Sequence, residues 1–298
     1  MTLPLTLISG YLGAGKTTLV NHLLRSADGL RLAVLVNEFG DLPIDADLIE
    51  ADDGDMISIA GGCVCCSFGD DLTQALMDLA KLDPRPDHVL LETSGVALPG
   101  AISASLLFVD GYSHDGTLVL VNAETIRGQA NDTYIGDTIN RQLGDADLVV
   151  LNKTDLVDQA ALSEIQDWVA RSYPDAVVVP AQHGKLPPEI LLQSFLARAT
   201  PDKTTHHPDI FKTVALKVDY AVDAEILAEK LASVELGLAR AKGFVVDGSG
   251  DLKTVQVVGR RWSLEPAPDG AKPGLVAIGE TSKLNADQIE TAIADSMR

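Results

Sequence analysis

The sequence predicts an α/β fold, in which a doubly wound domain with a mostly parallel sheet precedes a smaller α+β domain. Over the first 200 residues, continuous apolar runs of strand length alternate with segments of helical periodicity. This alternation is typical of a parallel sheet that is covered by helices on both faces. Beyond residue 211, several short strand-like runs follow one another instead. The change of pattern predicts a second domain of a different class.

The apolar runs of the first 200 residues predict the strands and helices of the first domain in order. Strands are predicted over residues 5–9, 32–37, 56–60, 88–93, 117–121, 147–152 and 176–179. Helices are predicted where apolar residues recur at helical spacing, after the glycine-rich turn at residues 10–15, from residue 70 or 71 to residue 82, and over residues 159–172. Ligands of such sheets bind outside the carboxyl ends of the strands, and we expect the site there.

The second domain is predicted over residues 211–298, after a first domain of residues 1–200. Residues 201–210 are polar and contain two prolines, which indicates a linker. Strand-like runs occupy residues 211–220, 243–246, 254–258 and 275–278, helical patterns occupy residues 224–236 and 286–297, and residues 247–250 (DGSG) predict a hairpin turn. This part of the chain carries no recognisable catalytic motif.

Composition narrows the class of protein. The 298 residues are 46% apolar, and no apolar run is long enough to cross a membrane. The N-terminus does not have the pattern of a secretion signal, and we therefore predict a cytoplasmic protein without a membrane partner. Asp and Glu number 43 against 23 Lys and Arg, which gives a net charge of −20. Such a balance argues against nucleic acid as a partner, because its phosphates require a basic face.

A phosphate-binding loop follows the first predicted strand. Residues 10–18 read GYLGAGKTT and lie between a strand and a helix, the context in which backbone N–H groups and a helix N-terminus converge on one anion. The glycines permit close approach of phosphate. Lys16 is expected to span the β- and γ-phosphates, Thr17 to bind Mg²⁺ and Thr18 to reach the α-phosphate. The sequence therefore predicts a nucleoside triphosphate site whose residues are Gly10, Gly13, Ala14, Gly15, Lys16, Thr17 and Thr18.

A second polar segment ends the strand over residues 88–93. Glu92 stands where many nucleotidases carry an aspartate that holds Mg²⁺ through water, and a longer carboxylate can do the same. Gly95 offers a backbone N–H to the γ-phosphate, so that residues 93–98 form a candidate switch. The alternative is that Thr93 or Ser94 merely caps a helix.

Residues 152–155 (NKTD) predict the choice of base. A carboxylate at Asp155 can accept two hydrogen bonds from guanine, while Asn152 would meet the acceptor edge of the ring. Adenine lacks that donor pair, so GTP should be strongly preferred. Lys153 belongs to the same motif, and Ala181 follows the next strand where a loop behind the guanine is expected.

The three cysteines of the chain lie together, at Cys63, Cys65 and Cys66. Clustered thiolates suit Zn²⁺, Cu(I) or, less selectively, Co²⁺. A closed structural zinc site would need a fourth protein ligand. Water, groups of the nucleotide, or carboxylates such as Glu38 and Asp41 could complete a site that releases its ion again. Packing of a turn or a redox role are the alternatives.

These motifs together resemble one family, the CobW-like P-loop GTPases, which include zinc-regulated GTPase metallochaperones. The resemblance covers nearly the whole chain, and its residues are GYLGAGKTT at 10–18, NEFGD at 37–41, GGCVCC at 61–66, LLETSG at 90–95, NKTD at 152–155, RAKGFV at 240–245 and VQVVG at 255–259. Two positions depart from the family pattern. Asp41 stands where many relatives have Glu, and Asn122 stands where Asp is frequent.

The resemblance implies a P-loop NTPase fold and a Mg²⁺-dependent GTPase that delivers Zn²⁺ or Co²⁺ to a client metalloenzyme or insertion partner. It implies that Lys16, Thr17 and Thr18 bind phosphate and Mg²⁺, that Glu92 is the Walker B carboxylate at the Mg²⁺, that Asn152 and Asp155 bind guanine, and that the three cysteines bind the transition metal. Together with Gly95, the residues Lys16, Thr17 and Glu92 are the candidate catalytic residues. A homodimer that depends on nucleotide or metal is left open. Two other functions also remain open, a metal-sensing or buffering module without catalysis and a GTP switch whose cysteines are structural.

Overall fold

The computed structural model of the chain describes residues 2–26, 29–37, 56–61, 70–192, 210–268 and 270–297. It divides into two compact units, Met1–Pro188 and Glu189–Arg298. The expected linker over residues 201–210 lies outside the described residues except for Ile210, so the bounds of the two domains stay a prediction. No helix in the described ranges is both long enough and apolar enough to span a membrane.

The first unit contains a parallel sheet of seven strands, in the order β3-β2-β4-β1-β5-β6-β7. Its strands are β1 Leu3–Ser9, β2 Leu32–Asn37, β3 Met56–Gly61, β4 His88–Glu92, β5 Tyr112–Asn122, β6 Leu148–Asn152 and β7 Val177–Pro180. Its helices are α1 Lys16–Ser26, α2 Asp70–Ala80, α3 Pro99–Leu106, α4 Ile126–Ala130, α5 Gly136–Gly144 and α6 Gln159–Ser172, and a 3₁₀ turn spans Thr154–Leu156.

The core of this unit lies on both faces of the sheet. On one face, Leu7 of β1 is buried in a cluster that includes Leu76 of α2 and Ile102 of α3. Val149 of β6, which the strand register places on the same face as Leu7, belongs to a cluster with Val169 of α6. On the other face, Ile8 of β1 is also fully buried. Burying one such side chain stabilises the fold by about 1.5–3 kcal/mol. The predicted doubly wound α/β sheet is therefore confirmed, and every predicted strand of the first domain is present. The segments now seen as α3, α4 and α5 were not predicted.

The second unit contains a six-stranded, mainly antiparallel sheet, two helices that cover it and a short helix at its start. It begins with the short helix α7 Pro188–Leu191, which starts at the boundary. The strands are β8 Phe211–Leu216, β9 Ala221–Val222, β10 Leu238–Asp247, β11 Leu252–Val258, β12 Arg261–Pro266 and β13 Gly274–Glu280, and the helices are α8 Ala224–Leu231 and α9 Ala286–Ala294. The strand order is β12-β11-β10-β13-β8, and β9 joins β10.

Helices α8 and α9 cover one face of this sheet, where Leu227 and Ile289 are packed with Val245. The predicted hairpin turn is confirmed, because the Gly250 N–H donates to the Asp247 carbonyl at 2.8 Å between β10 and β11. The α+β class of this domain is likewise confirmed. Strand β12 was not predicted, and the helix expected to reach residue 236 ends at Leu231, with a 3₁₀ turn over Val234–Leu236.

Candidate functional site

The phosphate-binding loop connects β1 to α1, and its glycines occupy positions that other residues could not. Gly10, Gly13 and Gly15 have φ angles of 131°, 73° and 103°, in the region that L side chains rarely adopt. A Cβ atom on Gly10 would lie 2.1 Å from the Leu120 carbonyl oxygen of β5. A Cβ atom on Gly15 would lie 2.4 Å from Nδ2 of Asn152. The loop is therefore held in close contact with β5 and with the end of β6.

The three polar residues after the glycines begin helix α1. Lys16 is buried, and its Nζ donates a hydrogen bond of 2.9 Å to the Gly10 carbonyl, so the ammonium group lies across the loop. Thr17 is half-buried and Thr18 is exposed. The first N–H groups of a helix have no partner within it and attract anions. The arrangement can receive a phosphate chain at the start of α1.

Thr17 and Glu92 are the residues predicted to hold Mg²⁺, and the structure brings them together. The Thr17 hydroxyl donates to Oε1 of Glu92 at 3.0 Å. Glu92 is buried at the carboxyl end of β4, in register with Ile8 of β1. A hydroxyl and a carboxylate are hard oxygen ligands of the type that Mg²⁺ prefers. The pair therefore fits the predicted ion.

Gly95 lies against the phosphate-binding loop itself. A Cβ atom at this position would lie 2.6 Å from Cδ2 and 2.9 Å from the backbone nitrogen of Leu12. Leu12 is 64% exposed, so its side chain could move, whereas its backbone is fixed within the loop. The segment leading to Gly95 is anchored by a hydrogen bond of 2.9 Å from the Thr93 N–H to the Ile8 carbonyl. A side chain at residue 95 would push the two loops apart.

Asn152 joins the phosphate-binding loop to a second loop after β7. Its Nδ2 donates to the Ala14 carbonyl at 2.9 Å, and its Oδ1 accepts from the Gly184 N–H at 3.0 Å. The side chain is buried. Asn152 thus holds two backbone segments in this structure, and its predicted contact with guanine stays a prediction.

The other residues of the predicted base site surround Asn152. Lys153 adopts the left-handed conformation, with φ 60° and ψ 36°, which is uncommon for a residue other than glycine. Thr154 donates to the Ala181 carbonyl from both its N–H, at 3.2 Å, and its hydroxyl, at 3.0 Å. Asp155 is exposed, and its carboxylate is accessible to a ligand. Ala181 is buried, so it can shape the loop but uses its carbonyl for Thr154.

Two residues that the sequence analysis missed belong to the same region. His183 and Gly184 both have positive φ, 52° and 65°. A Cβ atom on Gly184 would lie 2.9 Å from the Leu19 nitrogen of α1. Backbone strain of this kind collects at functional sites. The only signal for it in the sequence is the glycine that follows a predicted strand by a few residues.

The predicted transition-metal ligands are Cys63, Cys65, Cys66, Glu38 and Asp41, and all five lie outside the described residues. Among the residues that the structure does describe, no group of three or more His, Cys, Asp or Glu side chains could hold a metal ion. The metal site therefore stays a prediction from the sequence.

The chain is similar to known proteins of one family. The family model described as "CobW/HypB/UreG, nucleotide-binding domain" matches residues 4–180. The zinc chaperone CobW of a Sinorhizobium species is 31% identical, over 87% of this chain and 86% of that protein. The zinc chaperone YjiA of Escherichia coli K12 is 30% identical, over 87% of each.

Among solved structures, the Zn(II)-bound YjiA GTPase of E. coli is similar over the full length of both chains, with 26% identity and a TM-score of 0.50. The family model covers more than half of this chain, including the phosphate-binding loop, Glu92 and residues 152–155. The chain is therefore a member of the CobW/HypB/UreG family and carries its nucleotide-binding domain.

Proposed function

We propose that this protein is a GTP-hydrolysing metallochaperone that binds Zn²⁺ and passes it to a client protein. The observation that supports it most is the contact between Thr17 and Glu92, at 3.0 Å, beside a complete phosphate-binding loop. The relatives named above are called zinc chaperones, and one similar structure is a GTPase with bound Zn(II). The site geometry thus supports the nucleotide part of the proposal, and the relatives support its metal part.

GTP is the proposed substrate. When GTP binds, the Lys16 ammonium group exchanges its hydrogen bond to the Gly10 carbonyl for contacts with the β- and γ-phosphates. Thr18 contacts the α-phosphate, and the Gly95 N–H donates to the γ-phosphate. Thr17 and Glu92 hold Mg²⁺, which when bound neutralises charge on the phosphate oxygens. Asp155, exposed in the base region, accepts from guanine. Asn152 keeps this region at a fixed distance from the loop at Ala14.

Zn²⁺ is the proposed cargo, bound by Cys63, Cys65 and Cys66 with Glu38 or Asp41 or water completing the site. Co²⁺ takes the same geometry and is the alternative ion. Residues 38–41 and 63–66 follow β2 and β3. Strand β2 pairs with β4, which ends at Glu92, and we propose that a change at Glu92 on loss of the γ-phosphate alters metal binding by the residues that follow β2 and β3.

The proposed client is a metalloprotein of the cytoplasm. We propose that nucleotide and metal are coupled. If Mg²⁺ and GTP tighten the metal site, the metal must tighten GTP binding by the same factor, and such couplings are about 1–3 kcal/mol. Hydrolysis of GTP then weakens the binding of the metal ion.

A homodimer induced by nucleotide or metal stays a prediction, which light scattering with each ligand would test.

The test is a Zn²⁺ titration against a competing chelator, in the presence of either Mg²⁺ with a non-hydrolysable GTP analogue or Mg²⁺ with GDP. The proposed coupling predicts a Kd for Zn²⁺ that is about 5- to 150-fold lower with the analogue. Cys65→Ser should weaken Zn²⁺ binding in both states. Lys16→Ala keeps all three cysteines and should bind Zn²⁺ equally in both. If the unmodified protein binds Zn²⁺ with equal affinity in the presence of the GTP analogue and of GDP, the proposed coupling is wrong.

A further inference from the structure

Helix α5 holds the loop that contains Gly95. The side chain of Gln142 is 1% exposed, and its Nε2 donates to the Gly95 carbonyl at 3.1 Å and to the Ala97 carbonyl at 2.9 Å. An amide nitrogen carries two hydrogens. Both are therefore used on this one loop, although Gln142 lies 47 positions further along the chain from Gly95.

These bonds determine where the N–H groups of the loop point. In a trans peptide, the N–H and the C=O point in opposite directions. The Ser94 carbonyl accepts from the Ala97 N–H at 3.1 Å, which fixes the direction of the Gly95 N–H. The Gly95 carbonyl is held by Gln142, which fixes the direction of the Val96 N–H. The bond between the Ala97 N–H and the Ser94 carbonyl closes a turn over residues 94–97. Gln142 also holds the Ala97 carbonyl, so it secures the residue that closes this turn.

The same end of α5 also holds the start of α3. The Gly100 N–H donates to Oδ2 of Asp145 at 2.9 Å, and a Cβ atom on Gly100 would lie 2.5 Å from that oxygen. Asp145 directly follows α5. The stretch from Gly95 to Gly100 is therefore fixed at both of its ends by one helix terminus.

A small cavity lies between α5 and the phosphate-binding loop. Its volume is about 30 Å³, and its lining includes Leu12, Gly13, Gln129 and Gln142. Such a volume is enough for a buried water molecule. Gln142 thus touches a space bounded by the loop that Gly95 contacts, so α5, Gly95 and the phosphate-binding loop form one packed group.

We infer that Gln142 is a positioning residue for the γ-phosphate, acting through the turn over residues 94–97 rather than on the substrate. This inference rests on the proposed function, in which the Gly95 N–H meets the γ-phosphate. Through the Gly95 and Ala97 carbonyls, Gln142 secures the turn that orients that N–H before the nucleotide binds, so that little binding energy is spent on ordering the loop. GDP has no γ-phosphate, and its binding should not depend on Gln142.

The experiment uses the full chain with Gln142→Leu and Gln142→Glu. Leucine removes both donors, whereas glutamate has the shape of glutamine and replaces the donor nitrogen with oxygen. Gln129→Leu is the matched control, because Gln129 lines the same cavity from α4 and is not hydrogen-bonded to the Gly95 loop in the described structure. Melting temperature, Kd for GDP, Kd for a non-hydrolysable GTP analogue and single-turnover hydrolysis of GTP are measured for each.

Both Gln142 variants are expected to bind GDP within about twofold of the unmodified protein, and to bind the GTP analogue about tenfold more weakly. Single-turnover hydrolysis should fall by at least the same factor, while Gln129→Leu leaves all four quantities unchanged. Three results would each overturn the inference, because a purely structural role predicts them. The ratio of the affinities for the GTP analogue and GDP could be unchanged, both affinities could fall equally, or both variants could fail to fold. An unmodified protein that does not bind or hydrolyse GTP would instead overturn the proposed function itself.

Discussion

Asn152 donates a hydrogen bond of 2.9 Å from its side-chain Nδ2 to the carbonyl of Ala14, which lies 138 positions earlier in the chain. The same side chain accepts from the Gly184 N–H, so one buried amide joins the phosphate-binding loop to the loop after β7. Any nucleotide that contacts both loops depends on this bond. Asn152 therefore fixes the distance between these two loops.

Asn152→Asp should weaken nucleotide binding irrespective of the γ-phosphate. The carboxylate keeps the acceptor for Gly184 but has no donor for Ala14, whose carbonyl then faces negative charge. Loss of a buried hydrogen bond lowers the free energy of unfolding by about 1–3 kcal/mol. We expect the Kd values for GTP analogue and GDP to rise together, by about tenfold or more. Isothermal titration calorimetry and thermal melts measure both effects.

Asn122→Asp is the matched control for this substitution. Asn122 pairs with Asn152 in the register of β5 and β6, and its Oδ1 accepts from the Glu124 N–H, a role that a carboxylate also performs. Asn122→Asp should therefore leave both affinities unchanged. If it weakens binding as much as Asn152→Asp does, charge near the site rather than the lost donor explains the effect.

Asp155→Asn should change the base that the protein prefers. Asparagine presents a donor where the carboxylate accepted from the N1–H and amine of guanine, whereas xanthine carries a carbonyl in place of that amine. Two charge-assisted hydrogen bonds are lost, so affinity for GTP should fall by roughly two to four powers of ten while affinity for xanthosine triphosphate rises. Competition binding with the two nucleotides measures this.

Asp158→Asn provides the comparison, since Asp158 is an exposed aspartate three residues further on. It caps α6 by accepting from the Ala161 N–H at 2.8 Å, and asparagine caps helices about equally well. Base preference should not change in this variant. Unaltered preference in Asp155→Asn as well would mean that residues 152–155 do not read the base.

Glu92→Gln should slow hydrolysis and make it less sensitive to Mg²⁺. The amide oxygen of glutamine can still accept from Thr17, so the local fold is kept, but the negative charge for the cation is gone. Removing one preorganised electrostatic group typically lowers kcat by about 10²–10³. Phosphate release measured over a range of Mg²⁺ concentrations gives both effects. The exposed Glu124→Gln is the control, and a Glu92→Gln variant with full activity would show that Glu92 does not hold the ion.

Much of the fold could be predicted because the buried strands carry a strong signal. All seven residues of β1 are buried, and such continuous apolar runs are recognisable without a structure. Helix α5 was missed because its sequence, GDTINRQLG, begins and ends with glycine and contains weak helix formers. Strand β12 was missed because it is an edge strand whose residues are half-buried or exposed. Short, polar elements depend on tertiary contacts that the sequence does not display.

The residues of the candidate site likewise differ in how well the sequence predicts them. Residues that act through local motifs, such as Lys16, Thr17 and Glu92, are found by pattern and lie together in the structure. The Gln142 side chain donates to the Gly95 carbonyl, and the Gly184 N–H donates to the Asn152 side chain, so both residues contact positions far away in the sequence. No residue pattern records those contacts, because any chain that brings a donor to the same place could make them.

His22 provides a test of the structure that does not depend on nucleotide. It lies on α1, and its ring Nε2 is hydrogen-bonded to the Leu186 carbonyl at 3.0 Å. Burial lowers the pKa of His22 below its usual 6.5, the bond to Leu186 opposes this, and the charges of Lys185 and Arg25 lower it further. The neutral ring is therefore favoured in the folded protein.

The consequence for stability follows from the direction of this pKa shift. Because the folded state binds the proton more weakly than the unfolded state, the contribution of His22 is fully present above pH 6.5. It is lost as the pH falls through the lower pKa of the folded protein. Acidification from pH 7.5 to 5.5 should thus destabilise the first unit through His22, before most carboxylates titrate.

His22→Gln isolates this effect, because the glutamine amide can still donate to Leu186 and does not titrate. The melting temperature of the unmodified protein, minus that of His22→Gln, should become more negative as the pH falls from 7.5 to 5.5. The other five of the six histidines are present in both proteins, so their contribution cancels in the difference. A difference that is constant with pH, or that changes in the opposite direction, would show that the pKa of His22 is not lowered by folding.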